Sequence, residues 1–247
     1  MNNAFYSDIF KRKSFHLFRN VGADRTDERE LDGIMRAFQS FEALCPEIRT
    51  AIRIVPAAKV NFKHDAEYCI LIYSEKKDNY LMNAGYLGEQ LDLYLVHHNI
   101  GSLWYGIGKP DLPSFEGLDY VIMLAIHKVN DASLFRKDMF KAKRRPMEEI
   151  WSGDPFEPAG IARFAPSACN SQPWFVKSEA GILTVFRKTS RHGIMPAKTA
   201  AYFNRIDMGI FLCILEICMA EANVAFDRAL YVDASDGDAS KVAEYRL

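Results

Sequence analysis

Four short stretches of this chain carry side chains suited to gripping an anion or a flat polar ring. The first is Arg12-Lys13-Ser14. Alternate side chains of an extended segment share a face, so the forked guanidinium of Arg12 and the hydroxyl of Ser14 can converge on one phosphate. The plainer alternative is a solvated basic turn. The second is Lys143-Arg144-Arg145, where the same alternation pairs Lys143 with Arg145. A phosphate monoester carries close to two negative charges, so both clusters together could neutralise one. A solvated helix start is the alternative here, although a helix N-terminus is a poor place for three cations.

The third stretch is GSLWYGIGK, 101–109. It is not a P-loop, because Leu103 stands where the first glycine should. It is not a dinucleotide fingerprint either, since Lys109-Pro110 follows in place of a helix start. Gly106, after Tyr105, can let a flat ligand approach the backbone and leave an N–H to donate; an ordinary glycine-rich turn is the other reading. The fourth is APSACNSQPW, 165–174. Pro166 and Pro173 restrict the backbone at both ends and preset Ser167, Asn170 and Gln172. An Asn amide both donates and accepts, matching the mixed edge of a heteroaromatic ring, while Trp174 packs inward as an anchor. A capped loop with satisfied side chains is the alternative.

Other chemistries find little support. The six histidines show no HExxH and no metal spacing with cysteine. Ser167 lacks a nucleophile-elbow context, and Cys169 reads as a small buried thiol. No metal site is expected.

The elements that must position these residues read as follows. Helical spacing appears over 3–11, 28–41 and 87–99, and strand composition over 67–75 and 119–129. The stretch 101–111 reads as a loop or loop–strand junction. In the second part a helix is expected around 147–164, a strand over 182–188, a helix over 207–222 and a short strand over 229–233. Asn83, Gly88 and Leu91 recur as Asn204, Gly209 and Leu212 at a constant offset of 121. That echo suggests that one chain contains both halves of what is elsewhere a symmetric dimer.

Net charge of −1 excludes a general polyanion binder or an anionic-membrane protein. Five cysteines without a CxxC pair read as reduced thiols. The N-terminus has no apolar signal core, and the longest apolar run, 208–215, is far short of the ~18 residues of a membrane span. A cytoplasmic protein is expected, with no nucleic-acid or membrane partner.

Taken together these stretches resemble the flavin-dependent nitroreductase family. APSACNSQPW is similar to that family's A-P-S-x-x-N-x-Q-P-W signature at every fixed position, and IFKRKSFHLF to its N-terminal Arg-Arg-Ser segment, with Lys13 as the second basic residue. NIGSLWYGIG is similar to its glycine-rich segment and KRRPMEEI to its basic phosphate-binding stretch. The departure is in the order. The first half has CPEIRTAIRIVP (45–56) where the signature belongs, and the second half has no Arg-Arg-Ser. This resembles an internally duplicated subgroup in which one chain mimics the family's two subunits, with complementary losses that leave one site.

The resemblance implies an α+β nitroreductase fold: an antiparallel-dominated sheet surrounded by helices, with pseudo-symmetric halves 1–145 and 146–247 in one compact unit. It implies one FMN, NADH or NADPH as donor, and a small-molecule electron acceptor such as a nitroaromatic or quinone. Arg12, Lys13 and Ser14 would hold FMN phosphate and ribityl oxygens, with Lys143 and Arg145 at the phosphate. Ser167 and Asn170, shaped by Pro166, would contact ring and ribityl chain, the Tyr105–Gly106 backbone would lie near N5, and Gln172 would brace the loop. A folded-in dimer implies a monomer, with further association open. The rival readings are a non-catalytic flavin-binding or storage protein and a scaffold that keeps only the fold.

Overall fold

The computed structural model describes residues 4–62, 64–189, 197–233 and 239–247; His192 lies outside them. Its first part runs α1 (Tyr6–Lys11), α2 (Glu28–Ser40), β1 (Thr50–Pro56), β2 (Tyr68–Ser74), α3 (Tyr80–His97), β3 (Ile100–Tyr105), β4 (Ser114–Phe115) and β5 (Leu118–Lys128). The second runs α4 (Met147–Ile150), β6 (Trp151–Gly153), α5 (Ala159–Ala162), β7 (Trp174–Glu179), β8 (Ile182–Lys188), α6 (Ala197–Glu221), β9 (Asp227–Leu230) and β10 (Ala239–Arg246).

The expected α+β composition is present, but there are two five-stranded sheets instead of one. The first has the order β1-β2-β5-β3, with β4 beside β5, and every pair is antiparallel. The second has the order β6-β7-β8-β10-β9, and only β6 and β7 pair parallel. The two long helices do not surround a sheet. They pack on each other, α3 against β2 and β3 and α6 against β8. One apolar core joins residues of both sheets and both helices. A second apolar cluster covers the far face of the first sheet, where Phe15, Phe18 and Val21 pack on Cys69, Leu71 and Tyr73.

Both long helices begin earlier than their apolar period suggests, at Tyr80 and Ala197. Asn83 and Gly85 are poor helix formers, yet tertiary contact overrides that preference. A methyl at Gly85 would overlap the carbonyl oxygen of Ile206, and one at Gly209 would overlap that of Met82. These glycines let the two helix backbones touch. Glu216 then ties the layers together: it accepts from Tyr86 Oη at 2.7 Å, Tyr245 Oη at 2.7 Å and Arg228 Nη1 at 2.6 Å. The helix expected around 147–164 is broken into α4 and α5, because Gly153 takes φ +86 and Pro155 follows it. Strand β10 escaped the pattern reading. No described helix is long and apolar enough to cross a membrane.

The close crossing is testable. Gly209→Ala should lower unfolding free energy by about 1–3 kcal/mol or more through overpacking. Gly160→Ala, whose new methyl meets nothing within 4 Å, should gain about 0.5–1 kcal/mol. Denaturant unfolding of both variants measures the contrast, and equal effects would refute it.

Candidate anion and ring site

Arg12 stands just past α1, buried, with its backbone N–H on Asp8. Its Nε donates to Asp92 Oδ2 at 2.8 Å. Asp92, on α3, also accepts from the Ser102 hydroxyl and, at 3.0 Å, from Trp104 Nε1. One carboxylate therefore fixes the N-terminal segment, the helix and strand β3. Ser14 lies beside Ser102 in a parallel bridge, and Phe15 N donates to Ser102 O at 2.9 Å. Lys13 is half-buried with its Nζ 4.7 Å from the centre of the Phe15 ring.

Arg12 faces a narrow cavity that it shares with Glu89, Arg136, Arg144, Phe164 and Pro166. Arg136 is held alongside by its own N–H on Lys11 O at 2.8 Å and by its Nε on Arg12 O at 2.9 Å. Arg144 reaches in from the basic run and donates to Asn170 Oδ1 and Phe164 O, each at 3.0 Å. Three guanidinium groups thus meet, with Asp92 as the ion-pair partner of Arg12; with Glu89 holding its proton the group keeps a net of two positive charges. The cost registers on each group. Burial, and then repulsion from Arg12, Arg136 and Arg163, lowers Arg144 to about 10. Burial and Arg12 lower Arg136. For Arg12 burial works against the charge, but the charge of Asp92 and its hydrogen bond work the other way, and the group stands above its ordinary value. Among the described residues Arg12 Nη2 and Arg144 Nε are buried without a hydrogen-bond partner. Buried donors are seldom left so, and cations are not gathered in a cleft for stability.

The loop 165–173 forms the opposite wall. Its backbone is strained as well as restricted by prolines, because Cys169, Asn170 and Gln172 take φ of +50, +55 and +48. Non-glycine residues adopt that region at a cost of about 1–2 kcal/mol each. Hydrogen bonds impose it. Asp207 of α6 accepts from Ala168 N at 2.8 Å and Ser171 Oγ at 3.1 Å, and Ser167 Oγ accepts from Gln172 N at 2.9 Å. Asn170 Nδ2 donates to Lys143 O at 3.1 Å, and Gln172 Oε1 accepts from Arg145 N at 2.8 Å. Gln172 braces the loop, and Asn170 is engaged in the same way, clamping the basic run. Trp174 is buried and stacks on Phe211 at 4.9 Å. Cys169, read as buried, is exposed.

The structure therefore brings Arg12 and Pro166 to one cavity, with Ser14 beside β3. Lys143 is exposed and enters through its carbonyl, and Arg145 through its backbone N–H and carbonyl. Alternation does not pair Lys143 with Arg145 there, since Arg144 is the one of the three that lines the cavity; the flanking Ala142 and Pro146 have polyproline-like dihedrals. Tyr105 packs edge-on against Phe62 at 4.8 Å. Gly106 is exposed, and a methyl there would come within 2.6 Å of the Phe203 ring. Arg136, Arg144, Glu89, Asp92 and Asp207 escaped the pattern reading. A legible signal was the pair of carboxylates, Glu89 and Asp92, within a helix made mostly of apolar residues.

Burial pushes the Asp207 carboxyl up to about 7, against its three hydrogen-bond donors. A folded value above the ordinary 3.8 means that the native state holds a proton the unfolded chain releases. Stability should therefore fall as pH rises from about 4 to about 7, by at most about 1.4 kcal/mol per pH unit from this group. Asp207→Asn should flatten that slope in unfolding titrations. An unchanged slope would show that Asp207 does not titrate there.

The family pattern described as "Putative TM nitroreductase" matches residues 4–219. The fold is similar to that of a protein described as a putative nitroreductase from Thermotoga maritima, with TM-score 0.62, 20% identity, and coverage of 100% of this chain and 94% of that one. A nitroreductase family protein from Clostridium difficile aligns at TM-score 0.48 and 14% identity over 63% of this chain and 100% of its own. A Desulfovibrio desulfuricans protein described as a putative nitroreductase in complex with FMN aligns at TM-score 0.44 and 16% identity over 63% and 99%. A comparison with curated proteins finds no match. Since the family pattern spans most of the sequence, the chain belongs to this nitroreductase family.

Proposed function

We propose that the chain is an FMN-dependent oxidoreductase that takes electrons from NADH or NADPH and passes them to small organic acceptors such as nitroaromatics or quinones. The observation that carries this reading is the meeting of buried Arg12 with half-buried Arg136 and Arg144, with two unpartnered donor atoms opposite the strained loop. A phosphate monoester, close to two negative charges, matches the net charge of the cleft. The cavity leaves about 10 Å³ to the centre of a water-sized sphere, room for roughly one water. The side chains must therefore part to seat a phosphoryl group.

In this reading Arg12, Arg136 and Arg144 hold the phosphate. Lys13 and Ser14 lie along the ribityl chain, and Ser167 faces it from the other wall. Asn170 and Gln172 keep Arg144 and the basic run in place, and Lys143 and Arg145 contribute backbone groups to that clamp. The Tyr105–Gly106 backbone borders the ring, where the absence of a side chain on Gly106 leaves approach open beside Phe203. When bound, the flavin supplies the two-electron chemistry, and the protein supplies position and electrostatics.

The two walls belong to the proposed halves 1–145 and 146–247, so a monomer can complete one site. Support comes from Asn83 and Asn204, at the offset of 121. Asn83 accepts from Cys45 N at 3.0 Å and donates to Thr50 Oγ1 at 3.1 Å. Asn204 donates to Ser171 Oγ at 3.3 Å. Each ties a central helix to the segment before a strand.

The visible spectrum of the purified protein, with the released chromophore quantified, tests the reading. About one FMN per chain, bleached by NADH or NADPH, is the expected result. Flavin that is bound but not bleached would make the protein a carrier, and no uptake of added FMN would remove the function. Arg144→Ala should weaken FMN binding by about 1.5–3 kcal/mol, whereas exposed Lys143→Ala should cost well under about 1 kcal/mol. Equal losses in equilibrium titrations would return the phosphate to the alternate pair Lys143 and Arg145.

A further inference from the structure

Glu89 lies on α3 one turn before Asp92, fully buried, and lines the same cavity as the three arginines. Both of its carboxyl oxygens are buried without a hydrogen-bond partner among the described residues. Its surroundings explain why. From the end of α1 Arg12 faces it, but the Arg12 Nε is spent on Asp92 at 2.8 Å. From β3 Trp104 faces it, but the indole N–H is donated to Asp92 at 3.0 Å. From its own helix Asp92 repels it, and from α6 it meets Cys213, a buried thiol that burial raises further. Arg136 and Arg144 line the cavity from the segment before α4.

An ionised carboxylate here would be a second buried anion next to Asp92, which already takes the Arg12 Nε and Trp104 Nε1 donors, an arrangement that proteins relieve by keeping the proton. Burial, and then the Asp92 charge, raise the Glu89 carboxyl well above the usual carboxylate range, against the opposing pull of Arg12 and the Trp104 indole. A neutral carboxyl has an O–H to give, and a carboxylic acid held neutral in an apolar setting can serve as a donor to an anion.

We propose that Glu89 is the proton-bearing donor of this anion subsite: its neutral carboxyl donates to an oxygen of the bound phosphate, and phosphate binding is thereby coupled to one proton. The inference rests on the flavin reading for the identity of the ligand, but not for the coupling. When Glu89 loses its proton, the cleft drops from two net positive charges to one and exchanges a donor for a repelling acceptor. Affinity for the phosphate therefore falls as pH rises through the Glu89 titration. A ligand without phosphate does not feel the change.

The test compares FMN and riboflavin binding by flavin fluorescence from pH 6 to 9 in the wild type, Glu89→Gln and Glu89→Met. The wild type should lose FMN affinity by about tenfold per pH unit once Glu89 titrates. Glu89→Gln, which keeps a donor and no charge, should bind at high pH more tightly than the wild type. Glu89→Met, which keeps the volume without the donor, should bind weakly at every pH. Riboflavin should show no such trend in any of the three. Ionisation of the phosphate near pH 6 is common to all, so only differences between profiles are read. Superimposable FMN profiles in the wild type and Glu89→Gln would overturn the inference and leave the flavin reading intact. Absence of FMN binding throughout would remove the flavin reading alone. The coupling is then judged with inorganic phosphate, whose thermal stabilisation of the wild type should fade with rising pH and persist in Glu89→Gln. A shift equal in both proteins would overturn it.

Discussion

The rest of the structure depends on the contact between α3 and α6. Two helices that are buried nearly all round cannot be solvated on any side, so each needs a sheet behind it and a partner in front. Glycines at 85 and 209 let the partner approach to backbone contact, which shortens the distance between the sheets and closes the core. Glu216, with two tyrosine hydroxyls and Arg228 as donors, is the polar device that such a dry interface can tolerate, because every lone pair it turns inward is answered. The cavity lies at one margin of this contact. It is walled by Glu89 and Leu93 from α3 and by Ile214 from α6, with Arg12 and the loop segment Phe164–Pro166 closing it.

At that margin the same logic is reversed. Asp92 satisfies Arg12, Ser102 and Trp104 at once, so the first half is internally settled around one carboxylate. The second half offers the loop that clamps Arg144, and among its described residues no carboxylate lines the cavity. Like charges held together in a poorly hydrated cleft repel strongly, since the effective dielectric there is well below that of water. The fold bears this repulsion through hydrogen bonds that pin each arginine by its backbone or its neighbours: Arg136 through Arg12 O and Lys11 O, and Arg144 through Asn170 and Phe164 O. Strain in the loop and repulsion in the cleft sit on facing walls of one cavity, where a ligand of opposite charge relieves the second without disturbing the first.

Much of the fold was legible because periodicity reports burial. The strands 68–74 and 182–188 announce themselves by composition, and the helix 28–40 by its apolar period. The first turns of α3 and α6 were not legible, since asparagine and glycine there answer to helix–helix contact and not to local preference. Strand β10 was missed because it alternates around small and charged residues and is completed by partners at either edge. In the site, APSACNSQPW was legible as a unit but not in detail. The resemblance assigns Asn170 to a ligand, whereas its amide is engaged with Arg144 and Lys143. The basic run was legible as charge but not as geometry, because which of three consecutive cations turns inward depends on a polyproline-like segment whose twist leaves no mark in residue type.

Why the loop should be strained follows from what it must hold. A segment in regular extended conformation would turn its side chains alternately to the two faces and could not aim Asn170 and Gln172 at the same neighbouring strand of chain. The left-handed residues at 169, 170 and 172 fold the backbone back so that both amides meet the 143–145 segment, while Ala168 N and Ser171 turn the other way onto Asp207. Each such residue costs about 1–2 kcal/mol, and each hydrogen bond returns about 1 kcal/mol. The balance is near zero, so the loop adds little to stability. What it fixes is position: Arg144 is set between Asn170 and Phe164 O, facing Arg12 across the cavity. That position would be lost if the segment were relaxed, and it is the reason for a tense connection between a helix and a strand.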